Sequence, residues 1–343
     1  MSAECSMQAT GYSCSIRTDM GKLVGLNYDK AVSKENISAW VNDREKLLSE
    51  FFNKHFGVTL GILCADPTPE SMKYIQAKVK KAQEFNIKTL VKYCTYRDIC
   101  HENLFKKELN DLTSKCDGVI VQLPIGNLEA ITVQRYISQI PYWKDVDGLG
   151  SISQVELNNF GVTSKGVVPC TAQGIYSYLN EINFFAWQRA IEQTTESEEQ
   201  FPHCPTVLFI GASKLVNRPL AQKLIHDKWN VIFANRWTNF EQLHEMACKA
   251  DLIVTATGSY NLLNKVIANS SAKNMCLVID AGTRIEDGKL VGDIAEQLKF
   301  PESKTRGWYI TPVPGGVGRL TVTNIFVNLQ HCVITQELLN KGQ

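Results

Sequence analysis

Short apolar runs alternate along this chain with stretches of helical periodicity, and that alternation restricts the fold more than any other feature. "VTLGILCA", "KTLVKYC" and "GVIVQLP" come first, and "TVLFIG", "NVIFAN", "ADLIVTATG", "CLVIDAGT" and "WYITPVPGGVG" follow in the second half. Runs of this length, rich in β-branched residues and ending at turn residues, predict strands buried on both faces. The stretch after the first run, "DPTPESMKYIQAKVKKAQEF", predicts a helix. Thr68 suits the cap, Pro69 the first helical position, and Met72, Ile75, Val79 and Ala82 the buried stripe. Strand and helix in turn predict an α/β fold whose sheets are mainly parallel and covered on both sides.

With 343 residues, 44% of them hydrophobic, the chain favours two domains over one. A composition break supports this: residues 183–205, "NFFAWQRAIEQTTESEEQFPHCP", turn polar and acidic before a new strand. They read as an insertion. Residues 1–30 read as a polar leader of disordered character, without the apolar core of a secretory signal. The 36 Lys and Arg nearly balance the 35 Asp and Glu, so no global field draws the chain to nucleic acid or an acidic membrane. No apolar run approaches the roughly 18 residues of a membrane-spanning helix. Eleven cysteines, an odd number with no CxxC pair, predict free thiols in a reducing, cytoplasmic setting and no metal site.

Within the predicted helix, Tyr74 and Lys78 stand four residues apart and therefore share a face. A phenol ring can stack on a flat heterocycle, and an ammonium beside it can polarise a reacting centre or move a proton. The pattern alone fits a boundary tyrosine and a solvated lysine equally well. Gln122 ends an apolar strand, where ligands bind in open α/β sheets. In "VLFIGASKLVNRP" the strand runs into Gly211, with Ser213 placed to cap the next helix; without a full GxGxxG, an ordinary strand-to-helix turn remains open. The following strand ends at Arg236 rather than at an acid. An arginine there suits a 2′-phosphate, hence NADP over NAD, although a solvated surface arginine fits too.

"SMKYIQAK", "GVIVQLPIGN", "KDVDGL", "VVPCTAQG", "GASKLVNRP", "VIDAGT", "LVGDI" and "TPVPGGVGRLT" occur in one order between about residues 58 and 335. Together they resemble the bifunctional methylenetetrahydrofolate dehydrogenase/methenyltetrahydrofolate cyclohydrolase family. The resemblance implies a catalytic folate-binding domain over 31–170 plus 313–343, a Rossmann-like NAD(P)-binding domain over 171–312, and a folate cleft between them. It implies catalytic roles for Lys78, Gln122 and Tyr74, and folate contacts for Tyr74, Leu123, Asp147, Pro314, Gly315 and Gly316. Cofactor contacts fall on Gly211, Ala212, Ser213, Arg236, Thr257, Gly258, Gly282 and Thr283. The implied chemistry is NADP-dependent oxidation of 5,10-methylenetetrahydrofolate and hydrolysis to 10-formyltetrahydrofolate, a one-carbon step that serves purine biosynthesis, in a homodimer. Cys170 and Thr171 are expected at a hinge, and Asp293 fits a turn or a ligand contact.

The chain departs from the family pattern at a few positions. Arg319 and Leu320 replace Pro and Met after the glycines, and Thr283 stands where Asn is common. Asn217 stands where glycine is usual, which predicts an altered helix start and looser cofactor binding. These departures keep other readings open: a cyclohydrolase alone, an NAD-linked dehydrogenase, or a catalytically silent binding paralogue.

Overall fold

The computed structural model describes residues 27–163, 165–185, 205–258, 262–272, 275–299 and 307–341. In chain order its principal elements begin with α1 (Lys34–Phe52), β1 (Thr59–Ala65), α2 (Pro69–Glu84), β2 (Lys88–Cys94), α3 (Glu102–Lys115) and β3 (Gly118–Val121). Next come α4 (Ala130–Ile137), α5 (Ser151–Phe160), α6 (Cys170–Glu181), β4 (Thr206–Ile210), α7 (Asn217–His226) and β5 (Asn230–Ala234). The chain closes with α8 (Phe240–Lys249), β6 (Leu252–Thr255), α9 (Leu262–Asn269), β7 (Cys276–Asp280), β8 (Arg284–Glu286), β9 (Lys289–Val291), β10 (Trp308–Ile310) and α10 (Val317–Lys341). These elements form two compact units: residues 41–174 with 319–343, and residues up to 40 with 175–318.

The first unit holds a parallel sheet of order β2-β1-β3. Its central strand is apolar and buried after Thr59 because both faces are covered. On one face α2 lays down Ile75 and Ala82, with Met72 and Val79 beside them, as its helical spacing predicts. Thr68 caps that helix by accepting from Ser71 N at 3.2 Å, and Pro69 occupies its first turn. The last helix, α10, returns to this unit and buries Ile325, Phe326, Leu329 and Cys332 against the same core. Gly118 is required there, since a Cβ would collide with Leu329 and Val146.

The second unit carries a parallel sheet of order β10-β7-β6-β4-β5, with a short antiparallel β8-β9 pair. The two sheets fix register by the same device. Asp117, just before β3, accepts from Thr59 N at 2.7 Å and donates its own N–H to Thr59 O at 2.9 Å. Asp251, just before β6, makes the equivalent pair with Thr206 at 2.9 Å in each direction. Each clamp joins the start of a central strand to its neighbour, where a one-residue slip would turn every side chain to the wrong face.

The unit boundaries differ from the sequence expectation. Residues 31–40 and 313–318, expected with the catalytic domain, pack with the nucleotide unit. Tyr178 Oη donates to Ala31 O at 2.9 Å, Trp40 meets the Tyr178 ring edge-on at 5.9 Å, and Gly315 lies against the Lys34 stem. Of the expected leader, residues 1–26 lie outside the described residues. Residues 28–31 form a helical turn capped by Asn27, which accepts from Lys30 N at 3.1 Å. Of the expected insertion, residues 186–204 lie outside the described residues, while Phe184 and Phe185 pack on Trp229 at 5.8 and 5.7 Å between ring centroids. Among the described residues no helix is long and apolar enough to cross a membrane.

Removing either register clamp leaves a backbone N–H without its acceptor. Asp117→Ala is therefore expected to lower unfolding stability by about 1–3 kcal/mol, read from the urea midpoint at unchanged slope.

Candidate active site

Lys78 lies on α2 and is only 8% exposed. A buried ammonium needs partners. Its Nζ donates to Gln122 Oε1 at 2.8 Å, and the Gln122 amide is held by donating from Nε2 to Leu123 O at 2.9 Å. That second bond orients the amide, so its oxygen faces the lysine. Gln122 N in turn donates to Leu63 O at 2.8 Å, which ties the residue to the end of β1. Tyr74, one turn before Lys78 on the same helix, is more than a third exposed. Gln122 thus stands at the carboxyl end of an apolar strand of the first sheet, with Lys78 of α2 bonded to it.

The two aspartates of "KDVDG" divide the work in a way the motif does not reveal. Asp145 is buried and makes the turn, accepting from Gly148 N at 3.1 Å and from Gly150 N at 2.8 Å. Burial pushes its carboxyl up to about 7, against the pull of those amides. Asp147 is left to accept from Cys170 Sγ at 3.8 Å, within reach of the Lys78 charge. Burial raises its carboxyl above the ordinary range, while the Lys78 charge and the Cys170 thiol act in the opposite direction. The turn before Gly148 is therefore the work of Asp145 and not of Asp147. Gly148 adopts a φ of +67°, and a Cβ there would collide with Val167 O.

Three residues outside the expected site set support it. Lys144 Nζ donates to Thr113 O at 2.6 Å and Cys116 O at 2.8 Å, anchoring the same turn to the end of α3. Asn328 Nδ2 donates to Val146 O and Val168 O, each at 2.9 Å, and approaches Cys170 Sγ at 3.3 Å. Its signal was available: Asn324 and Asn328, four residues apart, are both buried on α10. Cys170 Sγ donates to Val146 O at 3.4 Å, and burial raises its thiol well above the ordinary value, which suits a structural thiol rather than a nucleophile. Thr171 accepts from Thr321 Oγ1 at 3.1 Å.

In the second unit Gly211 ends β4 with φ +85°, a conformation that suits glycine, and its Cα faces the Thr257 methyl. Ala212 is exposed beside it. Ser213 does not cap α7: its Oγ accepts from Leu215 N at 3.3 Å, and α7 starts four residues later from Val216 without a side-chain cap. Asn217 opens α7, where glycine was the usual residue. Its side chain is 0% exposed and Nδ2 donates to Ile210 O at 2.9 Å and Gly211 O at 2.8 Å, so it braces the glycine turn.

Thr257 and Gly282 meet at one carboxylate. Asp293 Oδ2 accepts from Thr255 Oγ1 at 2.6 Å, Thr257 N at 2.8 Å and Thr257 Oγ1 at 3.0 Å, while a Cβ on Gly282 would collide with it. Asp280 completes the cradle by accepting from Gly282 N, Asp293 N and Ile294 N. Lys299 Nζ lies 3.0 Å from Asp280 Oδ2, both groups being buried. Burial still raises the Asp280 carboxyl above its usual range despite that cation. Asp293 is therefore a turn anchor, one of the two roles its sequence allowed. Gly258 has φ +64° with open space around it, and Thr283 is exposed. Arg236 and Trp237 are exposed after β5.

Pro314, Gly315 and Gly316 belong to the second unit rather than the unit of Lys78. Gly315 has φ +106° and lies against the Lys34 stem, and Gly316 lies against Pro312 O. Their lack of side chains is thus used by neighbours within the chain. Arg319 Nη2 reaches Asn42 Oδ1 at 3.5 Å.

Fold and site define a two-unit α/β enzyme with a buried lysine centre in one unit and a nucleotide-type strand-turn-helix in the other. The tetrahydrofolate dehydrogenase/cyclohydrolase catalytic domain matches residues 29–147, and the NAD(P)-binding domain of the same family matches residues 169–337. Bifunctional protein FolD of Campylobacter jejuni is 31% identical over 300 residues, covering 85% of this chain and 94% of that protein. A crystal structure of a FolD methylenetetrahydrofolate dehydrogenase/cyclohydrolase from Campylobacter jejuni covers 90% of this chain and 98% of its own, with 26% identity and a TM-score of 0.69. A Trypanosoma brucei methylenetetrahydrofolate dehydrogenase-cyclohydrolase, solved with NADP cofactor and inhibitor, shares the fold at 21% identity and TM-score 0.68, covering 87% of this chain and 96% of its own. The chain belongs to the tetrahydrofolate dehydrogenase/cyclohydrolase family.

Asp145 supplies a pH signature. An acid whose folded pKa is raised binds its proton more tightly when folded, so its contribution to stability is present below the unfolded value of 3.8 and is lost as pH rises towards about 7. Between those values wild type is expected to lose stability relative to Asp145→Asn, by at most about 1.4 kcal/mol per pH unit, in parallel denaturation series. Equal pH slopes would remove that assignment. Asn217→Gly is expected to lower stability by about 1–3 kcal/mol, because Ile210 O and Gly211 O lose their donor; calorimetry reads the change.

Proposed function

We propose that this chain oxidises 5,10-methylenetetrahydrofolate with NADP+ and hydrolyses the methenyl product to 10-formyltetrahydrofolate. The observation that carries the reading is the Lys78 ammonium, withdrawn from water, bonded to an oriented Gln122 amide, with its charge felt by Asp147. Both family domains match, which supports two activities over a cyclohydrolase alone. A silent binding paralogue would have no chemical need of the oriented lysine.

In this reading Asp147 holds the flat pterin edge, accepting from its amino group and ring N–H, while the Tyr74 ring lies along the plane of the substrate. Leu123 lines the same end of the sheet, and Pro314, Gly315 and Gly316 offer backbone to the folate. Lys78 controls the water and the proton of the hydrolytic step, and Gln122 fixes the direction of its N–H bonds. NADP+, when bound, supplies the hydride acceptor. The second unit fits that dinucleotide: Gly211 presents bare backbone at the strand end, braced by Asn217, and Ala212 and Ser213 continue that turn towards the phosphates. Arg236 meets the 2′-phosphate; Thr257, Gly258, Gly282 and Thr283 flank the rest of the cofactor.

The chain acts in the cytoplasm as a homodimer, with tetrahydrofolate derivatives as its ligands and neither nucleic acid nor membrane as a partner. Its formyl product is of the class consumed in purine biosynthesis. The near-balance of charges and the free thiols of the described cysteines support this setting.

Purified protein given 5,10-methylenetetrahydrofolate is expected to reduce NADP+ in preference to NAD+, without build-up of the methenyl form. Reduction of neither cofactor would end the dehydrogenase reading. Lys78→Met is expected to abolish hydrolysis of supplied methenyltetrahydrofolate while folate still binds; full hydrolysis by the variant would refute the role given to Lys78.

A further inference from the structure

Trp237 has the largest exposed ring in the described part of the nucleotide unit, at 82% exposure, and nothing in the folding of that unit requires it. A lone apolar residue in water needs no explanation by itself. This one is held in a defined turn. Asn235 Oδ1 accepts from Trp237 N at 2.8 Å, Asn235 N donates to Thr238 Oγ1 at 3.0 Å, and Thr238 N donates back to Asn235 O at 2.9 Å. Three bonds therefore fix the backbone on both sides of Arg236 and Trp237. The guanidinium of Arg236 stands 5.4 Å from the centre of the Trp237 ring, within the range of a cation–π contact.

The turn directly follows β5, the second strand of the β4-α7-β5 unit, which is where a dinucleotide fold presents residues to the adenosine ribose. On that ribose the base and the 2′-oxygen sit on adjacent carbons. A turn that sets a cation and a flat ring on successive residues matches that spacing: the cation can take the phosphate while the ring takes the base. A purine has a π-face whatever its edge presents, so an indole face suffices to hold it.

We propose that Trp237 is the stacking platform for the adenine of the dinucleotide, and that with Arg236 it forms a two-residue reader of adenosine 2′-phosphate. The inference rests on the NADP reading above and extends it to a residue that no motif assigns. It makes recognition of this end of the cofactor depend on ring area as well as on charge. The neighbouring aromatic pair Phe209–Phe233, with ring centroids at 5.2 Å, packs strand on strand and is not part of this surface turn.

The test uses the full chain and adenosine 2′,5′-bisphosphate, which carries the base, ribose and 2′-phosphate but no nicotinamide. Its Kd is measured by calorimetry for wild type, Trp237→Ala and Trp237→Phe, with circular dichroism confirming that each variant is folded. Trp237→Ala is expected to weaken binding roughly five- to a hundredfold, the span that truncating an aromatic base-stacking partner produces. Trp237→Phe is expected to recover most of it. Unchanged affinity in Trp237→Ala, or a Phe variant as weak as the Ala variant, would overturn the stacking role while leaving the NADP reading intact. A wild type that fails to bind the bisphosphate would overturn the nucleotide reading itself, and this inference with it.

Discussion

The Lys78 ammonium is the constraint around which the first unit is organised. A cation nearly withdrawn from water must be met by polar groups, and here each of those groups is itself held. Gln122 is oriented through Leu123 O and tied to β1 through Leu63 O. Asp147 is directed by a turn that Asp145, Lys144 and Asn328 pin from three sides. Any slackening in that shell would let water reach the lysine or let Gln122 rotate away from it.

The second unit solves a different problem with the same materials. Its loops after β6 and β7 are drawn together by polar groups. Two buried carboxylates do so. Asp293 gathers Thr255 and Thr257, Asp280 gathers the backbone of Gly282, Asp293 and Ile294, and Lys299 offsets part of the charge. Such a network is useful because it is fully directional: hydrogen bonds to fixed acceptors set loop positions that hydrophobic contact alone would leave loose. Glycine at 282 is the corollary, since the carboxylate occupies the space a side chain would need.

Much of the architecture was legible in the chain because burial on both faces imposes continuous apolar strands, and because a helix laid on a sheet must show its stripe. The α2 cap, its proline and its buried stripe all follow from local rules. The Tyr74–Lys78 spacing and the position of Gln122 at a strand end were equally readable, and the resemblance of ordered motifs gave them roles. Asn217, Ser213 and the two aspartates of "KDVDG" were not readable in the same way. Each has several hydrogen-bonding options within a few residues, and the option realised depends on which carbonyl or amide the rest of the chain brings near.

What the sequence determined by itself is therefore the alternation of strands and helices, the two-unit α/β plan, and the residue types available for chemistry. Local propensity and the burial pattern suffice for those, because they are encoded in neighbours along the chain. Only the tertiary structure decided that Asp145 turns the chain while Asp147 does not, that Asn217 braces the glycine turn, and that residues 31–40 pack with the nucleotide unit. Those outcomes are contacts between residues far apart in sequence, such as Asn328 with Val146 and Tyr178 with Ala31, and no local pattern specifies which distant partner a polar group will find.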